Sequence, residues 1–276
     1  MNRTIQAPSM PMLAIKAAAM LALTALWPAL SWAQSAEELA KKLSNPVASL
    51  ISVPLQFNHD ENIGPADGRR SFVNVQPVVP ISISQDWNMI SRTIVPLIDQ
   101  KDIAGSSGSQ SGAGDIVQSL FFSPKAPTAG GLIWGAGPVL LLPTATDELL
   151  GSEKWGLGPT AVVLTQRGPW TYGALGNHIW SVAGKSSRAD ISATFVQPFL
   201  SYTTKSATSF GLNTESTYDW ESNRWTVPIN VTVGQVLKLG NQLVQVGAGA
   251  RYWAKSAPSG PEGWGYRVSL TFLFPK

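Results

Sequence analysis

The chain has 276 residues, no cysteine, 20 Lys and Arg against 17 Asp and Glu, and 11 Trp. The missing cysteines exclude disulfides and thiolate metal sites. With Arg3 and Lys16 set aside in an N-terminal leader the charges nearly balance, so no nucleic-acid partner is expected.

Residues 1–33 read as a secretory signal peptide, because Arg3 and Lys16 precede an apolar run from Ala17 to Leu30 and a Ser31-Trp32-Ala33 cleavage pattern. Cleavage after Ala33 makes Gln34 the mature N-terminus, with translation starting at Met1 or at Met10 or Met12. The rival, a transmembrane anchor, is disfavoured because the run is short and interrupted by Trp27-Pro28. Residues 34–47 read as a periplasmic N-terminal segment. Within it Ala36 to Leu43 has helix formers, acids first and bases last, before Asn45-Pro46. A short periplasmic or plug-like helix and a frayed leader to the first strand both fit.

Residues 48–276 are expected to form an all-β, transmembrane antiparallel β-barrel of about twelve strands. Period-two segments carry apolar residues on one face and polar ones on the other. They run over residues 51–57, 73–83, 89–98, 115–123, 132–142, 155–166, 170–182, 191–203, 210–218, 225–233, 244–252 and 266–274. Their connections alternate. Tight joins fall near Gln85-Asp86-Trp87, Gln166-Arg167-Gly168, Lys205-Ser206 and Leu239-Gly240-Asn241, whereas long ones span Asn58 to Arg70, Asp99 to Gly114, Pro143 to Lys154 and Lys255 to Gly263. Bacterial barrels keep short turns in the periplasm and long loops outside, and an even strand count returns both termini to the periplasm. Asp219 to Arg224 is short for an outer loop.

Aromatic placement points the same way. Trp134, Trp155, Trp170, Trp180, Trp220, Trp225, Trp253 and Trp264 fall at strand ends, where an interfacial belt is expected, and Trp87 falls in a periplasmic turn. A soluble β-sandwich would alternate too, but would not require aromatic strand ends. Pro54, Pro77, Pro138, Pro159, Pro198 and Pro228 each remove a ladder donor. Bulges and bending at nearby glycines are expected to absorb them, giving an irregular barrel.

Two motifs carry a family resemblance: Gly112-Ala113-Gly114-Asp115 opening the fourth strand and Leu142-Pro143-Thr144 closing the fifth. With Asn45-Pro46-Val47-Ala48-Ser49-Leu50, Val78-Val79-Pro80-Ile81, Gln118 to Pro124 and Gly260 to Gly265, the chain resembles the meta-pathway phenol-degradation group of outer-membrane proteins, including the branch labelled bacterial neuromedin U. Ala145 stands where that group usually has Gly. The resemblance implies an outer-membrane barrel that passes small, often aromatic compounds. Phe272 and Phe274 in the last strand resemble the signal read by barrel assembly machinery, although Pro275-Lys276 replaces the usual terminal aromatic.

Twelve strands about 4.8 Å apart and tilted by roughly 40° enclose a backbone circle on the order of 24 Å across, which side chains reduce to a narrow lumen. Arg92, Asp115, Glu215, Arg251 and Arg267 fall on the polar face by parity. They form either a mixed-charge constriction or a self-neutralising closed core. Arg251 and Arg267 on neighbouring strands would make a positive patch near the outer mouth, tempered by Glu215 and Asp219, which suggests anion preference. The function read from these features is an outer-membrane channel or transporter for small molecules, with outer-membrane lipid and a solute as partners and no cofactor. Apolar solutes would leave sideways between Pro-weakened strands, and polar ones along the lumen. A non-transporting envelope barrel is the alternative. A lipid hydrolase is a third reading, but His59 falls in a loop and His178 is flanked at two-residue spacing only by Gly176 and Trp180. Oligomeric state is not legible.

Overall fold

The computed structural model describes residues 36–275, and the signal-peptide expectation for residues 1–33 lies outside them. One helix, α1 (Ala36–Leu43), precedes β1 (Ile51–Ile63), β2 (Gly68–Val75), β3 (Val78–Ser82), β4 (Trp87–Lys101), β5 (Ser109–Ala113) and β6 (Ile116–Pro124). Then come β7 (Leu132–Leu142), β8 (Lys154–Arg167), β9 (Trp170–Gly184), β10 (Ser192–Thr203), β11 (Thr208–Thr214), β12 (Ser216–Asp219), β13 (Arg224–Leu239), β14 (Gln242–Lys255) and β15 (Gly263–Phe274). Three pairs, β2/β3, β5/β6 and β11/β12, lie end to end, so the wall makes twelve antiparallel passes. The last strand pairs with the first, from Ile51↔Phe274 to Asp60↔Gly265, and β9 pairs with β10, which closes the barrel.

Alternation separates the two faces. On β13, Ile229, Val231 and Val233 are exposed on the outside while Asn230 is buried within. On β15, Tyr266 and Val268 face out while Arg267 and Thr271 are buried within. The outer face is therefore apolar and the lumen polar, as a strand needs when lipid lies on one side. Aromatic side chains gather in two girdles. Trp87, which opens β4 and does not sit in a turn, meets Trp134 edge-on, and Trp170 meets Tyr202, at the end with short turns. Trp155, Trp180, Trp220, Trp225 and Trp264 are exposed at the end with long loops.

The interruptions have separate causes. Thr214↔Ile229 and Thr217↔Thr226 place Glu215 opposite Pro228, which has no N–H to offer, so the ladder lapses between β11 and β12 without a change of register. Between β5 and β6 the register against β4 shifts by one, from Leu97↔Ala113 to Ile94↔Val117. Gly114-Asp115 is thus a bulge, which bends the strand and re-aims a side chain.

The N-terminal segment lies inside the ring at the short-turn end. Leu39 and Ala40 of α1 are fully buried with Ala48, Leu50, Ala207, Val236 and Leu273, and Leu43 and Leu243 pack against them. Burying one such leucine stabilises by about 2 kcal/mol. The polar side of α1 carries a Lys41–Glu37 ion pair of 2.7 Å. Gln166 donates to the Lys41 carbonyl at 2.9 Å, and the Ser44 and Ser201 hydroxyls are 3.1 Å apart. Of the two sequence readings of this segment, the helix is the one formed.

Candidate functional site

A buried charge network projects into the lumen from adjacent passes of the wall, β11–β12, β13, β14, β15 and β1. Arg267 on β15 holds the Glu215 carboxylate with both terminal nitrogens, each at 2.9 Å, and its Nε donates to Asn58 Oδ1 at 2.7 Å. Arg251 on β14 donates to Asp60 Oδ2 at 3.1 Å, Asn58 Oδ1 at 2.9 Å and Asn230 Oδ1 at 3.0 Å, and lies 3.5 Å from Glu215. Asn230 in turn donates to Asn213 at 2.8 Å. Residues far apart in sequence meet because closure of the wall brings β1 beside β15. The two-pronged arginine–carboxylate contact is the geometrically stringent kind.

Arg251, Arg267 and Asp60 are 4 %, 6 % and 3 % exposed, so the network is buried against its side of the wall and presents no open positive mouth. Burying such side chains is tolerable only where each is paired and hydrogen-bonded, as here. Arg92 sits to one side, donating to Gln76 Oε1 at 3.1 Å, while Gln76 reaches Gln56 at 3.3 Å. A cavity of about 340 Å³ separates this layer from the N-terminal segment. Arg92 and Arg267 line it on one side and Leu43, Asn45 and Pro46 on the other, with Gln197, Gln245, Leu175 and Phe199 between.

Four of the five expected lumen residues, Arg92, Glu215, Arg251 and Arg267, thus line the cavity or join the network. Asp115 does neither. The bulge aims it at the loop between β7 and β8, where it accepts from Ala145 N at 3.2 Å and from Ser152 N and Oγ at 2.6 Å. That loop turns inward: Leu150 is buried, and Gln100 donates to the Leu149 carbonyl at 3.0 Å. Asp219 also leaves the cluster, capping its own turn through Glu221, Ser222 and the Ser222 hydroxyl. Asp60 and Asn58, which complete the network, continue the even-numbered polar face of β1 beyond Phe57. Their parity is the signal by which the sequence marks them.

Trp253 is corrected in the same way. It shares the inward parity of Arg251, donates from Nε1 to Asp60 Oδ1 at 2.9 Å and stacks against the Arg251 guanidinium at 5.2 Å. Tyr252 takes its place in the outer girdle, 5.0 Å from Trp264. A variant with Trp253 as sole tryptophan should escape quenching by lipids brominated on the acyl chain, whereas one retaining only Trp264 should be quenched strongly. Equal quenching of the two would return Trp253 to the belt.

The histidines are both on strands. His59 belongs to β1, not to a loop, with Nδ1 2.8 Å from the Ser71 hydroxyl and its ring stacked on Tyr266. His178 lies on β9, Nδ1 2.7 Å from Thr194 Oγ1, which also accepts from Trp220 Nε1 at 2.8 Å. Among the described residues nothing bonds His178 Nε2. At His178 a hydroxyl meets a base that no third group orients, whereas the His59 ring lies between the Ser71 hydroxyl and the largely exposed Glu61 carboxylate, 3.2 Å from Nε2.

No protein-family model matches the chain, and no curated protein matches it. Among solved structures it is similar to the COG4313 outer membrane channel from Pseudomonas putida F1, at 16 % identity over 82 % of this chain and 96 % of that one, with a TM-score of 0.64. It is also similar to outer membrane phospholipase A from Escherichia coli, at 8 % identity over 81 % and 90 %, with a TM-score of 0.50. At these identities the likeness establishes the fold, a twelve-pass barrel of the outer-membrane type.

Proposed function

We propose that this chain is an outer-membrane channel for small molecules, closed at rest by its N-terminal segment and narrowed by the Arg251–Arg267–Glu215–Asp60 network. The observation that carries the reading is the cavity of about 340 Å³ between those two layers, with arginine on one wall and apolar side chains on another. A barrel built only as an anchor would gain more by packing that space. In this reading residues 1–33 direct export, the assembly machinery inserts the wall, and the short turns lie in the periplasm. The network, with three nearby arginines, Arg92, Arg251 and Arg267, against Asp60 and Glu215, favours anionic or polarisable solutes. The resemblance to the meta-pathway phenol-degradation group adds small aromatic compounds as the substrate class.

The non-transporting barrel is the second reading, and the fully paired network is what favours it. Reconstitution in liposomes separates the two. Flux of small phenols, sugars or amino acids above that of empty liposomes supports the channel, and no flux for any of them supports the closed barrel.

A further inference from the structure

A hydrogen-bonded relay stands on the outer surface of the wall, at the end with long loops. The His59 ring has the Ser71 hydroxyl 2.8 Å from Nδ1 and the Glu61 carboxylate 3.2 Å from Nε2. Stacking on Tyr266, with ring centroids 4.9 Å apart, fixes the plane of the imidazole, which is largely buried. With Glu61 accepting from Nε2, Nδ1 is left as the acceptor for the Ser71 proton. Hydroxyl, imidazole and carboxylate thus follow one another in the order that serine acyl transfer needs.

The register puts this relay on a boundary. Opposed residues share a face of the wall, so three rows, about 7 Å apart, run across β15, β1, β2 and β4. The deepest holds Val268, Phe57, Val73 and Leu97, and is wholly apolar. Next come Tyr266, His59, Ser71 and Asp99, level with the outer girdle. Nearest the loops stand Trp264, Glu61, Arg69 and Lys101, of which Arg69 and Lys101 are directly opposite each other and both exposed. Ser71 therefore has hydrocarbon-facing surface on one side and two cations on the other. An amphiphile lying at the girdle would set its acyl chain on the deepest row, its ester beside Ser71 and a phosphate beside Lys101.

We propose that Ser71, His59 and Glu61 form a hydrolytic site for acyl esters of phosphate-bearing lipids, entered from the outer leaflet and independent of the lumen. Ser71 Oγ bonds to the ester carbonyl carbon as its proton passes to His59 Nδ1. Arg69, two residues along the same face, meets the negative charge that develops on the carbonyl oxygen. The carbon–oxygen bond to the lipid alcohol then breaks, and the leaving oxygen takes the proton from Nδ1. Water from the loop side attacks the acyl group on Ser71 and gives its proton to Nδ1. The bond to Ser71 Oγ breaks, that proton returns to Ser71, and the fatty acid leaves. Ser71 is the nucleophile and His59 the base. Glu61 is a positioning residue that acts through His59.

The test uses the refolded full-length chain in mixed micelles, with fatty-acid release measured from phosphatidylglycerol, from lipid A and from diacylglycerol, an ester without phosphate. Release from phosphatidylglycerol or lipid A should exceed that of protein-free micelles, and the arm that responds identifies the lipid. A fluorophosphonate probe should add covalently to the Ser71 peptide. Ser71→Ala and His59→Gln should each lower release by at least about a hundredfold and abolish labelling, with heat-dependent gel mobility and bilayer conductance kept. Glu61→Gln should lower kcat roughly tenfold and leave KM alone. Lys101→Gln should raise KM for the phosphate-bearing ester and not for diacylglycerol. Asp99→Asn, on the other flank of Ser71, should keep the native rate. Release that survives Ser71→Ala, or a folded native protein that shows neither release nor labelling, overturns the site.

Discussion

Deleting residues 36–46 is expected to raise the single-channel conductance of the reconstituted barrel by roughly an order of magnitude and to replace rare openings with a steady open level. The physical reason is where the segment lies. Leu39, Ala40 and Leu43 pack on Ala207, Val236, Leu243 and Leu273 inside the short-turn end, and Pro46 walls the cavity. Nothing in the strand ladder depends on α1, since β1 pairs with β15 only from Ile51 onward. The shortened protein should therefore still show heat-dependent gel mobility. A deletion that abolishes that mobility would give α1 a folding role, and one that folds with unchanged conductance would remove it as a stopper.

Glu215→Gln acts on the other layer. It leaves the Arg267 guanidinium without its two 2.9 Å carboxylate contacts and Arg251 with Asp60 as its carboxylate partner. Breaking a buried pair costs about 3 to 5 kcal/mol, and because the Glu215 side chain is 24 % exposed the smaller end of that range is expected. The variant should lose heat resistance and shift the reversal potential under a salt gradient towards anions. Asp219→Asn, which touches only its own turn, should do neither. Equal effects from both substitutions would mean that lumen charge is sensed in bulk and not at the network.

The strands are legible because lipid and water impose opposite chemistry on alternate residues, and each of the twelve expected segments falls on one pass of the wall. Departures arise where parity is not followed to its end. Asp60 and Asn58 lie on the same face as Ser52 and Gln56, but polarity after Phe57 resembles a loop. Closeness to a strand end puts Trp253 in the belt, although its odd-numbered face is that of Arg251. Asp115 obeys the count until the one-residue shift at Gly114 turns it towards Ser152. Contacts such as Glu215 to Arg267 join strands separated by β13 and β14, and only the curvature of the wall brings them together.

A tether across the plug tests the gated channel most directly. The Ser44 and Ser201 hydroxyls are 3.1 Å apart, so Ser44→Cys with Ser201→Cys should form a disulfide that pins the N-terminal segment to the wall. Bilayer recordings of the oxidised protein should be silent, and adding reductant to the same membrane should bring back the openings of the native chain. Identical recordings before and after reduction, with the disulfide verified, would contradict the account.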